Sequence, residues 1–505
     1  MANHLFDLIT SRAPHADRPF AHLPDGRTIS YGALFAQSAR YANALCAMGV
    51  QPGDRVAVQV DKSIEKVMLY LGCARAGAVF LPLNTAYTAA EVEYFLTDAE
   101  PRLFVCEPQK TAALSPVAAK AGARLETLGT RGDGSLADAA ANAAPHFDDV
   151  PRGPNDLAGI LYTSGTTGRS KGAMLSHDNL ASNALTLVDY WRFTDKDVLI
   201  HALPIYHTHG LFVATNVILL SGASMHFLPK LDPDLMLSLM ATSTAMMGVP
   251  TFYTRLLQHP GLTKEATRNM RLFVSGSAPL LAETHREWQA RTGHAILERY
   301  GMTETNMNTS NPYDGDRIAG TVGFPLPGVA LRVADPETGA VLKQGEIGVL
   351  EVKGPNVFKG YWRMPEKTAS EFRKDGFFIT GDLGLIDERG YVQIVGRGKD
   401  LVITGGFNVY PKEVETEIDS IPGVIESAVI GVPHPDFGEG VTAVVVKKAD
   451  SPLTEADVTT RLAERLAKFK QPKRVFFVDD LPRNTMGKVQ KNVMRETYKD
   501  IYAKG

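Results

Sequence analysis

The sequence has few of the features that secreted or membrane-bound proteins carry. Its three cysteines, Cys46, Cys73 and Cys106, are scattered over 505 residues, which is typical of reduced thiols in the cytoplasm. The first residues lack the charged and then apolar pattern of a signal peptide. No uninterrupted apolar run is long enough to span a bilayer. We therefore expect a cytoplasmic protein with no membrane partner.

A concentration of positive charge is also missing. The net charge is −3, from 53 basic and 56 acidic residues, and without a block of basic residues this argues against nucleic acid as a partner. Charged residues make up 22% and hydrophobic residues 44% of the chain, as in globular proteins generally. Because 505 residues exceed what one small core holds, we expect two or more domains.

Strand-like and helical runs alternate over most of the chain. The periodicity predicts strands at 55–60, 80–83 and 103–106, with helices at 30–48 and 64–76. The alternation resumes after residue 157, with a helix predicted near 211–220, and this order predicts layered α/β subdomains built on parallel sheet. The intervening residues are rich in Gly, Ala, Asp and Pro from 129 to 156, which indicates a surface connection.

The pattern changes from about residue 320. Short β-like runs broken by Gly and Pro predict a small antiparallel subdomain. Beyond residue 400 the pattern predicts helices at 411–419 and 454–468, with strands at 428–432 and 441–447 between them. The predicted fold class is α/β, with a large N-terminal domain over 1–398 and a small α+β domain over 399–505.

The most informative stretch is residues 162–172, Tyr-Thr-Ser-Gly-Thr-Thr-Gly-Arg-Ser-Lys-Gly. A predicted strand precedes it, and a helix-start signal follows at Ser176. Its glycines and hydroxyl residues leave many N–H and O–H donors, which together with Lys171 suit nucleotide phosphates. For one loop alone, a solvated turn is the alternative. A Walker A loop is excluded, because Lys171 stands between Ser170 and Gly172.

Further motifs follow in order along the chain. They are Glu298-Arg-Tyr-Gly-Met-Thr-Glu304, Thr380-Gly-Asp-Leu383, Gly396-Arg397, Ile403-Thr-Gly-Gly-Phe-Asn-Val-Tyr-Pro-Lys-Glu413 and Pro482-Arg-Asn-Thr-Met-Gly-Lys488. With these, essentially the whole chain resembles the adenylate-forming superfamily, which includes acyl-CoA synthetases, nonribosomal-peptide adenylation domains and beetle luciferases. The resemblance implies that a carboxylate is coupled to AMP with release of pyrophosphate, which converts a poor acyl donor into a good one.

The resemblance also implies an ATP site. Thr303 would contact phosphate and Glu304 would hold Mg²⁺, a hard ion suited to carboxylate and phosphate oxygens. Asp382 would accept the ribose hydroxyls and Arg397 would add a contact to the nucleotide, although in isolation each is an ordinary turn charge. The remaining ATP-site residues so implied are Thr163, Ser164, Gly165, Thr166, Thr167, Lys171, Ser277, Ala278, Pro279, Tyr300, Gly301 and Met302.

The C-terminal motifs imply a second conformation. Lys488, on a terminal loop, would bridge the substrate carboxylate and the α-phosphate; a solvated tail is the alternative for this residue alone. Acylation of Lys488 would remove its charge. The C-terminal domain would be mobile and turn about Lys399 for the second half-reaction. The thiol of CoA would then approach along His207 and the loop Gly405-Gly406-Phe407.

Three histidines close together allow another reading. His201, His207 and His209 include an i, i+2 pair that lies on one face of an extended strand, so a metal site is the alternative to a substrate channel. No matching cluster of Cys, Asp or Glu supports it.

The identity of the acid depends mainly on Arg255. It stands where fatty-acyl and aryl relatives tend to have neutral residues, and a guanidinium is suited to a second carboxylate. Helical periodicity argues the other way, because Arg255 lies off the apolar stripe. With Ser277, His207 and Met302 completing a short pocket, the pattern resembles the malonyl-CoA synthetases. It implies that malonate, ATP and CoA give malonyl-CoA, AMP and pyrophosphate.

Three alternatives remain open from the sequence. The first is a ligase for another short, medium-chain or aryl acid, such as methylmalonate. The second is an adenylation protein that loads a phosphopantetheinyl carrier in trans. A nucleotide-binding regulator without catalysis is the third, and the presence of Lys488 and Glu304 disfavours it. Because the chain ends soon after Lys488, we expect no fused carrier.

Overall fold

The computed structural model describes residues 3–163, 170–405, 407–484 and 487–503. Packing divides the chain into two compact units, each formed by two segments. The first unit comprises Met1–Ala330 and Val352–Phe378, and the second comprises Leu331–Glu351 and Ile379–Gly505. The boundary predicted at Lys399 lies inside the second unit, and as the position of a hinge it stays a prediction.

The helices alternate with strands in the order expected for an α/β protein. Their bounds are α1 His4–Arg12, α2 Tyr31–Ala47, α3 Ile64–Arg75, α4 Ala89–Ala99, α5 Thr111–Lys120, α6 Ser135–Ala141, α7 His177–Tyr190, α8 Asn216–Ser221, α9 Pro233–Leu239, α10 Pro250–Leu257, α11 Ala282–Thr292, α12 Pro365–Ser370, α13 Pro411–Asp419, α14 Glu455–Ala463 and α15 Lys491–Tyr498. In the part of the chain that the structure describes, no helix is both long and apolar enough to cross a membrane.

The strands are mostly short and buried. Their bounds are β1 Pro19–His22, β2 Thr28–Ser30, β3 Arg55–Gln59, β4 Val79–Pro82, β5 Leu103–Cys106, β6 Arg124–Thr127, β7 Leu157–Thr163, β8 Lys171–Ser176, β9 Val198–His201, β10 Ser224–Phe227, β11 Ala245–Gly248, β12 Leu272–Ser275, β13 Leu297–Met302, β14 Asn306–Ser310, β15 Phe324–Pro325, β16 Ala330–Ala334, β17 Gly348–Lys353, β18 Phe378–Ile386, β19 Val392–Arg397, β20 Val402–Thr404, β21 Phe407–Val409, β22 Val424–His434, β23 Gly438–Lys447 and β24 Arg474–Val478.

The first unit is built on layered, largely parallel sheets. One runs in the order β6-β5-β3-β4-β7-β8, and another in the order β15-β14-β13-β12-β11-β9-β10-β1-β2. The pairs β3–β4, β3–β5, β11–β12 and β12–β13 are parallel. Parallel strands need crossover connections, and the helices between them supply these. The predicted α/β class is therefore confirmed for the large unit.

Local signals in the sequence explain where several helices begin. The Ser30 side chain accepts a hydrogen bond from the backbone N–H of Ala33 and caps α2. Ser176 and Asn179 form a reciprocal capping box at the start of α7. Such caps satisfy N–H groups that have no partner within the helix, so the predicted helix starts are confirmed.

Two predicted segments differ from the structure. The surface connection predicted over 129–156 contains α6, because its alanine-rich stretch forms a short helix with Leu136 and Ala140 buried. The helix predicted near 211–220 begins earlier, as a π-helical turn over His209–Thr215 that continues into α8. π-Helical turns are rare and occur often at functional sites, so this departure draws attention to His209.

The second unit is a small α+β structure. Its strands form a sheet in the order β21-β20-β23-β22 with β24 beside β23, and a smaller one in the order β16-β17-β18-β19. Buried aliphatic residues such as Val414, Ile418 and Val445 form its core. The predicted bounds of α13 are confirmed, whereas α14 ends at Ala463, before the predicted 468. The predicted α+β character of the C-terminal part is confirmed.

Candidate active site

The ends of the phosphate loop are fixed by the pairing of β7 and β8. These strands are antiparallel, and Thr163 stands directly opposite Lys171. Just before Lys171, the carbonyl oxygen of Ser170 accepts a hydrogen bond of 2.7 Å from the Tyr94 hydroxyl. The structure thus brings together two of the residues predicted to bind phosphate. Ser164, Gly165, Thr166 and Thr167 lie outside the described residues.

Lys171 belongs to a connected group of charged and polar side chains. Its Nζ lies 3.4 Å from Oε1 of Glu371 and 4.1 Å from the centre of the Tyr361 ring. The Tyr361 hydroxyl is 2.9 Å from Oε1 of Glu304 and 2.7 Å from Oε2 of Glu371. Because a phenol carries one proton, it donates to one carboxylate at a time. Tyr361 therefore contacts both Lys171, the predicted phosphate-binding residue, and Glu304, the predicted metal-binding residue.

Burial sets the electrostatics of this group. Glu304 is 5% exposed, and its burial raises the pKa of the carboxyl group. Desolvation penalises an ionised carboxylate unless a cation or hydrogen-bond donors compensate. Glu304 is thus suited to a bound cation. Glu371 and Tyr361 were not identified from the sequence, since no motif marks them.

Four of the predicted ATP-site residues lie at the end of β13 or directly after it. Tyr300, Gly301, Met302 and Thr303 are all half-buried. A Cβ atom on Gly301 would lie 1.8 Å from the carbonyl oxygen of Asn306, so only glycine fits there. The turn that follows is closed by the backbone N–H of Thr305, which donates to the Met302 carbonyl at 3.1 Å. The motif therefore forms a tight corner that presents its side chains together.

A second corner lies at the end of the neighbouring strand β12. Ser277 follows this strand with φ of +73°, a left-handed backbone that costs a serine energy and is common at functional sites. Its Oγ lies 3.2 Å from Nδ1 of His209. Ala278 and Pro279 continue the same corner. Because Val274 pairs in parallel with Leu297, the carboxyl ends of β12 and β13 lie side by side.

His209 contacts Ser277, and the predicted role of His207 in the substrate and thiol channel stays a prediction. Burial, with the positive charge of Arg299, holds the pKa of His209 well below its usual range, so the ring is neutral. Nδ1 of His207 accepts a hydrogen bond from the backbone N–H of His209 at 3.4 Å. The sequence had named His209 only as a metal candidate. Contact with Ser277 is the signal that distinguishes it, and contact becomes visible only in three dimensions.

The alternative metal site does not form in the described residues. No group of three or more His, Cys, Asp or Glu side chains there is arranged to hold an ion. Nε2 of His201 is instead 2.9 Å from the carbonyl oxygen of Gly210, and its Nδ1 is 3.0 Å from Nζ of Lys62. His201 is therefore occupied by structural hydrogen bonds.

Arg255 lies on the exposed side of α10. Phe252, Tyr253, Leu256 and Leu257 form the buried side of this helix, and Arg255 is exposed. The expectation that Arg255 lies off the apolar stripe is confirmed. Its role as partner of a substrate carboxylate stays a prediction.

In the second unit, the predicted ribose-binding residue is paired with the predicted nucleotide-binding arginine. Asp382 and Arg397 stand opposite one another in the antiparallel pair β18–β19. Nε of Arg397 donates to Oδ1 of Asp382 at 3.0 Å, and Asp382 is 3% exposed. A buried, charge-assisted hydrogen bond orients the carboxylate. The strand register therefore brings these two residues together, as the motifs predict.

Lys488 lies on a loop held by its neighbours. Its backbone N–H donates to Oδ1 of Asn484 at 2.9 Å, and the Asn484 N–H donates back to the Lys488 carbonyl at 2.9 Å. Arg483 donates to the Gly487 carbonyl at 2.7 Å and forms an ion pair with Glu426. Arg483 therefore positions the loop that carries Lys488, a contact that the sequence did not predict. Thr485 and Met486 lie outside the described residues.

The predicted hinge and thiol-channel residues belong to neighbouring turns. Lys399 is exposed in a 3₁₀ turn over Gly398–Asp400. Gly405 has φ of +57°, which favours glycine. Phe407 is 56% exposed, and its ring stacks on Phe469 with centroids 4.8 Å apart. Gly406 lies outside the described residues.

Buried asparagine side chains hold the backbone of β14 and of the turn that carries Glu304. The side-chain amide of Asn183 donates to the Met307 carbonyl at 2.9 Å and accepts from the Met307 N–H at 3.2 Å. Asn356 donates to the Thr305 carbonyl at 2.7 Å. Similar bonds are made by the rest of this amide scaffold, which we define as Asn179, Asn183, Asn306, Asn311 and Asn356. It fixes β14 and so the corner that carries Glu304.

With this geometry established, comparison with known proteins places the chain. The sequence profile of the AMP-binding enzyme family matches residues 10–362, and that of the AMP-binding enzyme C-terminal domain matches residues 413–488. The chain belongs to the AMP-binding enzyme family. The predicted relationship to adenylate-forming enzymes is thereby confirmed, and the corners at β12 and β13 are features of an AMP-binding enzyme.

Relatives of this AMP-binding enzyme include several CoA ligases. A malonate–CoA ligase from Arabidopsis thaliana is 33% identical, with 98% of this chain and 88% of the relative covered. A feruloyl-CoA synthase from an Amycolatopsis species is 37% identical, with 96% of each chain covered. The crystal structure of ATP-bound MatB from Rhodopseudomonas palustris is 69% identical, with a TM-score of 0.98 and coverage of 99% and 100%.

Proposed function

We propose that this AMP-binding enzyme is a malonate–CoA ligase, which converts malonate, ATP and CoA into malonyl-CoA, AMP and pyrophosphate. The observation that carries the proposal is the 69% identity to MatB over 99% of the chain. A malonate–CoA ligase that is 33% identical supports it. The three scattered cysteines support a reducing compartment, and we assign the enzyme to the cytoplasm on that ground.

In the first half-reaction, a malonate oxygen attacks the α-phosphorus of ATP and pyrophosphate leaves. Charge accumulates around the phosphorus, so catalysis depends on fixed positive charge and on position. Lys171 holds the leaving phosphates and Lys488 binds the attacking carboxylate. Glu304 would hold Mg²⁺, which when bound would neutralise negative charge on the phosphate oxygens.

In the second half-reaction, the thiol of CoA attacks the acyl carbon of malonyl-AMP. The thiol loses its proton, the C–S bond forms, and AMP leaves. Rotation about Lys399 exchanges Lys488 for the loop Gly405-Gly406-Phe407, so that the two steps use different residues. The resemblance of these C-terminal motifs to those of adenylate-forming enzymes supports this division of the two steps.

A panel of acids tests the proposed function. Malonate, methylmalonate, propionate, benzoate and ferulate are each incubated with ATP and Mg²⁺, and pyrophosphate and AMP release are measured with and without CoA. We expect the highest kcat/KM for malonate and CoA-dependent turnover. Higher kcat/KM for benzoate or ferulate would assign an aryl acid instead. Adenylate formation without any transfer to CoA would favour loading of a carrier in trans.

Loss of the Tyr361 hydroxyl tests how Glu304 is positioned. Tyr361→Phe removes a hydrogen bond to a carboxylate, a contact worth about 1.5–3 kcal/mol. We expect kcat/KM for ATP to fall by roughly 10–100-fold and the Mg²⁺ concentration for half-maximal activity to rise. Pyrophosphate exchange at varied Mg²⁺ measures both.

A remote tyrosine provides the matched control. The hydroxyl of Tyr31 is buried and lies 3.0 Å from the carbonyl oxygen of Ile218 and 2.7 Å from that of Ala223, either of which accepts its proton. Tyr31→Phe should lower the melting temperature and leave the Mg²⁺ dependence unchanged. An unchanged Mg²⁺ requirement in Tyr361→Phe would refute the positioning role.

A further inference from the structure

The carboxylate of Glu371 lies beside the lysine that the motif assigns to the phosphates of ATP. Its Oε1 is 3.4 Å from Nζ of Lys171 and 2.6 Å from Nζ of Lys367. Its Oε2 is 2.7 Å from the hydroxyl oxygen of Tyr361. Glu371 is therefore an internal anion at a site that is predicted to bind an external one.

Backbone pairing fixes this arrangement. The N–H of Trp362 donates to the Gly172 carbonyl at 2.7 Å, which joins β8 to the segment that carries Tyr361. The ring of Tyr361 then lies 4.1 Å from Nζ of Lys171 and limits where the lysine side chain can go. Lys171 and Glu371 are thus brought together by the fold, although 200 positions separate them in the sequence.

Glu371 carries a negative charge in this environment. Partial burial opposes its ionisation, but hydrogen bonds from Lys367 and Tyr361, with the charge of Lys171, outweigh burial and lower the pKa of the Glu371 carboxyl group. The side chains of Lys171 and Glu371 are only 15% and 19% exposed, so salt and water screen this pair less than a surface pair. A phosphate that approaches Lys171 therefore meets a carboxylate bound to the same ammonium group.

The two lysines hold Glu371 unequally. A charge-assisted hydrogen bond from an ammonium group to a carboxylate is about 2.7–2.9 Å long. The contact with Lys367, at 2.6 Å, is at least as short, whereas the contact with Lys171, at 3.4 Å, is longer. Lys171 is therefore the partner that separates more easily. When it does, Lys367 still supplies a positive charge to Glu371, and the carboxylate keeps its place.

We propose that Glu371, held in place by Lys367, competes with the phosphates of ATP for Lys171, and so limits their affinity and speeds the release of pyrophosphate. The inference rests on the proposed function only in assigning the leaving phosphates to Lys171, and it is independent of the acid. When phosphate binds, the ammonium group exchanges one anionic partner for another. When pyrophosphate leaves, Glu371 takes the ammonium group back, so a half-buried charge keeps a partner throughout.

The first test removes the charge of Glu371. Glu371→Gln keeps the shape of the side chain, and Lys171 is then no longer shared with a carboxylate. We expect KM for ATP and the inhibition constant of pyrophosphate to fall by about five- to tenfold each, the effect of one partly buried ion pair, while kcat does not rise. Initial rates at varied ATP, with saturating Mg²⁺ and added pyrophosphate, measure all three.

Removal of Lys367 should have the opposite effect. In Lys367→Met the carboxylate loses its closer partner, so its charge acts on Lys171 alone and KM for ATP should rise by about three- to tenfold. The double variant should have the KM of Glu371→Gln, because Lys367 acts through Glu371. If Lys367→Met raises KM in the Glu371→Gln background as well, Lys367 binds phosphate itself, and the inference is overturned.

A carboxylate outside the predicted site provides the matched control. Glu107 is 3% exposed, and its Oε2 lies 3.3 Å from Nζ of Lys110, a separation close to that between Glu371 and Lys171. Glu107→Gln should lower the melting temperature and leave KM for ATP and the inhibition by pyrophosphate at their wild-type values. An equal fall of KM in this variant would assign the effect to net charge and overturn the inference.

Wild-type assays separate this inference from the proposed function. If the wild type releases no pyrophosphate with any acid of the panel, the proposed function is wrong, and calorimetric titration with pyrophosphate and Mg²⁺ tests Glu371 without turnover. If the wild type turns over and Glu371→Gln leaves KM for ATP unchanged or raises it, the inference is overturned and the function stands. Melting curves show whether each variant is folded. If Glu371→Gln is not, Glu371→Ala replaces it with the same expectation.

Discussion

Lys488→Ala is expected to reduce malonyl-AMP formation by about 10²–10³-fold, the usual effect of removing one preorganised donor from a developing charge. Thioesterification of supplied malonyl-AMP should stay within a few-fold of wild type, because the α-phosphate bond is already made. The Lys488 backbone is held by Asn484, so truncation of its side chain leaves the loop intact. Pyrophosphate exchange and CoA consumption measure the two steps separately.

A neighbouring lysine provides the comparison. Lys491 is paired with Glu415 in the same unit, so Lys491→Ala removes a charge of the same type a few residues away. It should lower stability and leave both half-reactions close to wild type. Acylation of Lys488, which also removes the charge, should reproduce the alanine variant. Near wild-type formation of malonyl-AMP by Lys488→Ala would show that the catalytic assignment is wrong.

Lys399→Pro is expected to stop one half-reaction and spare the other. Lys399 occupies a 3₁₀ turn over Gly398–Asp400, where φ is close to the −65° that proline imposes. The conformation in the structure therefore accepts proline. A conformation with a different φ at residue 399 does not. We expect the half-reaction that needs the second conformation to fall by at least about 100-fold, since proline in an incompatible backbone costs ~3 kcal/mol or more.

Lys399→Ala separates the effect of restricting the backbone from the effect of losing the lysine side chain. Lys399→Ala keeps the freedom of φ and should retain both half-reactions. Single-turnover assays of adenylation and thioesterification, with melting curves for each variant, provide the measurement. Equal loss of both steps in a folded Lys399→Pro variant would argue against a hinge at this residue.

Much of the fold was predictable because its signals are local. Capping residues such as Ser30 and Ser176 mark helix starts within a few residues of sequence. Buried strands such as β5 are short apolar runs that periodicity identifies. Motif order also predicted that Asp382 and Arg397 serve one ligand, and strand register brings them together. Each of these depends on residues that are close in sequence or joined by one strand pair.

The remaining features depend on burial and on distant partners. Arg255 and Arg299 are not distinguished by local sequence, and only the structure shows that Arg255 is exposed whereas Arg299 is buried, with no hydrogen-bond partner for its Nε and Nη2 among the described residues. Glu371 and Tyr361 join Glu304 from about sixty residues downstream, through contacts that no local pattern encodes. The same holds for His209, whose neighbour Ser277 is distant in the sequence.

The amide scaffold also affects how the protein loses activity on prolonged heating. Hydrolysis of the Asn183 or Asn356 side chain to a carboxylate would replace an N–H donor by an oxygen that faces a backbone carbonyl, and no proton would remain to join them at neutral pH. While the chain is folded, these amides are held rigidly away from water. Once the chain unfolds on heating, deamidation of these side chains would prevent it from refolding to the structure that places Glu304 in the turn after β13. Resistance to prolonged heating is therefore governed by the rate of unfolding rather than by the equilibrium melting temperature.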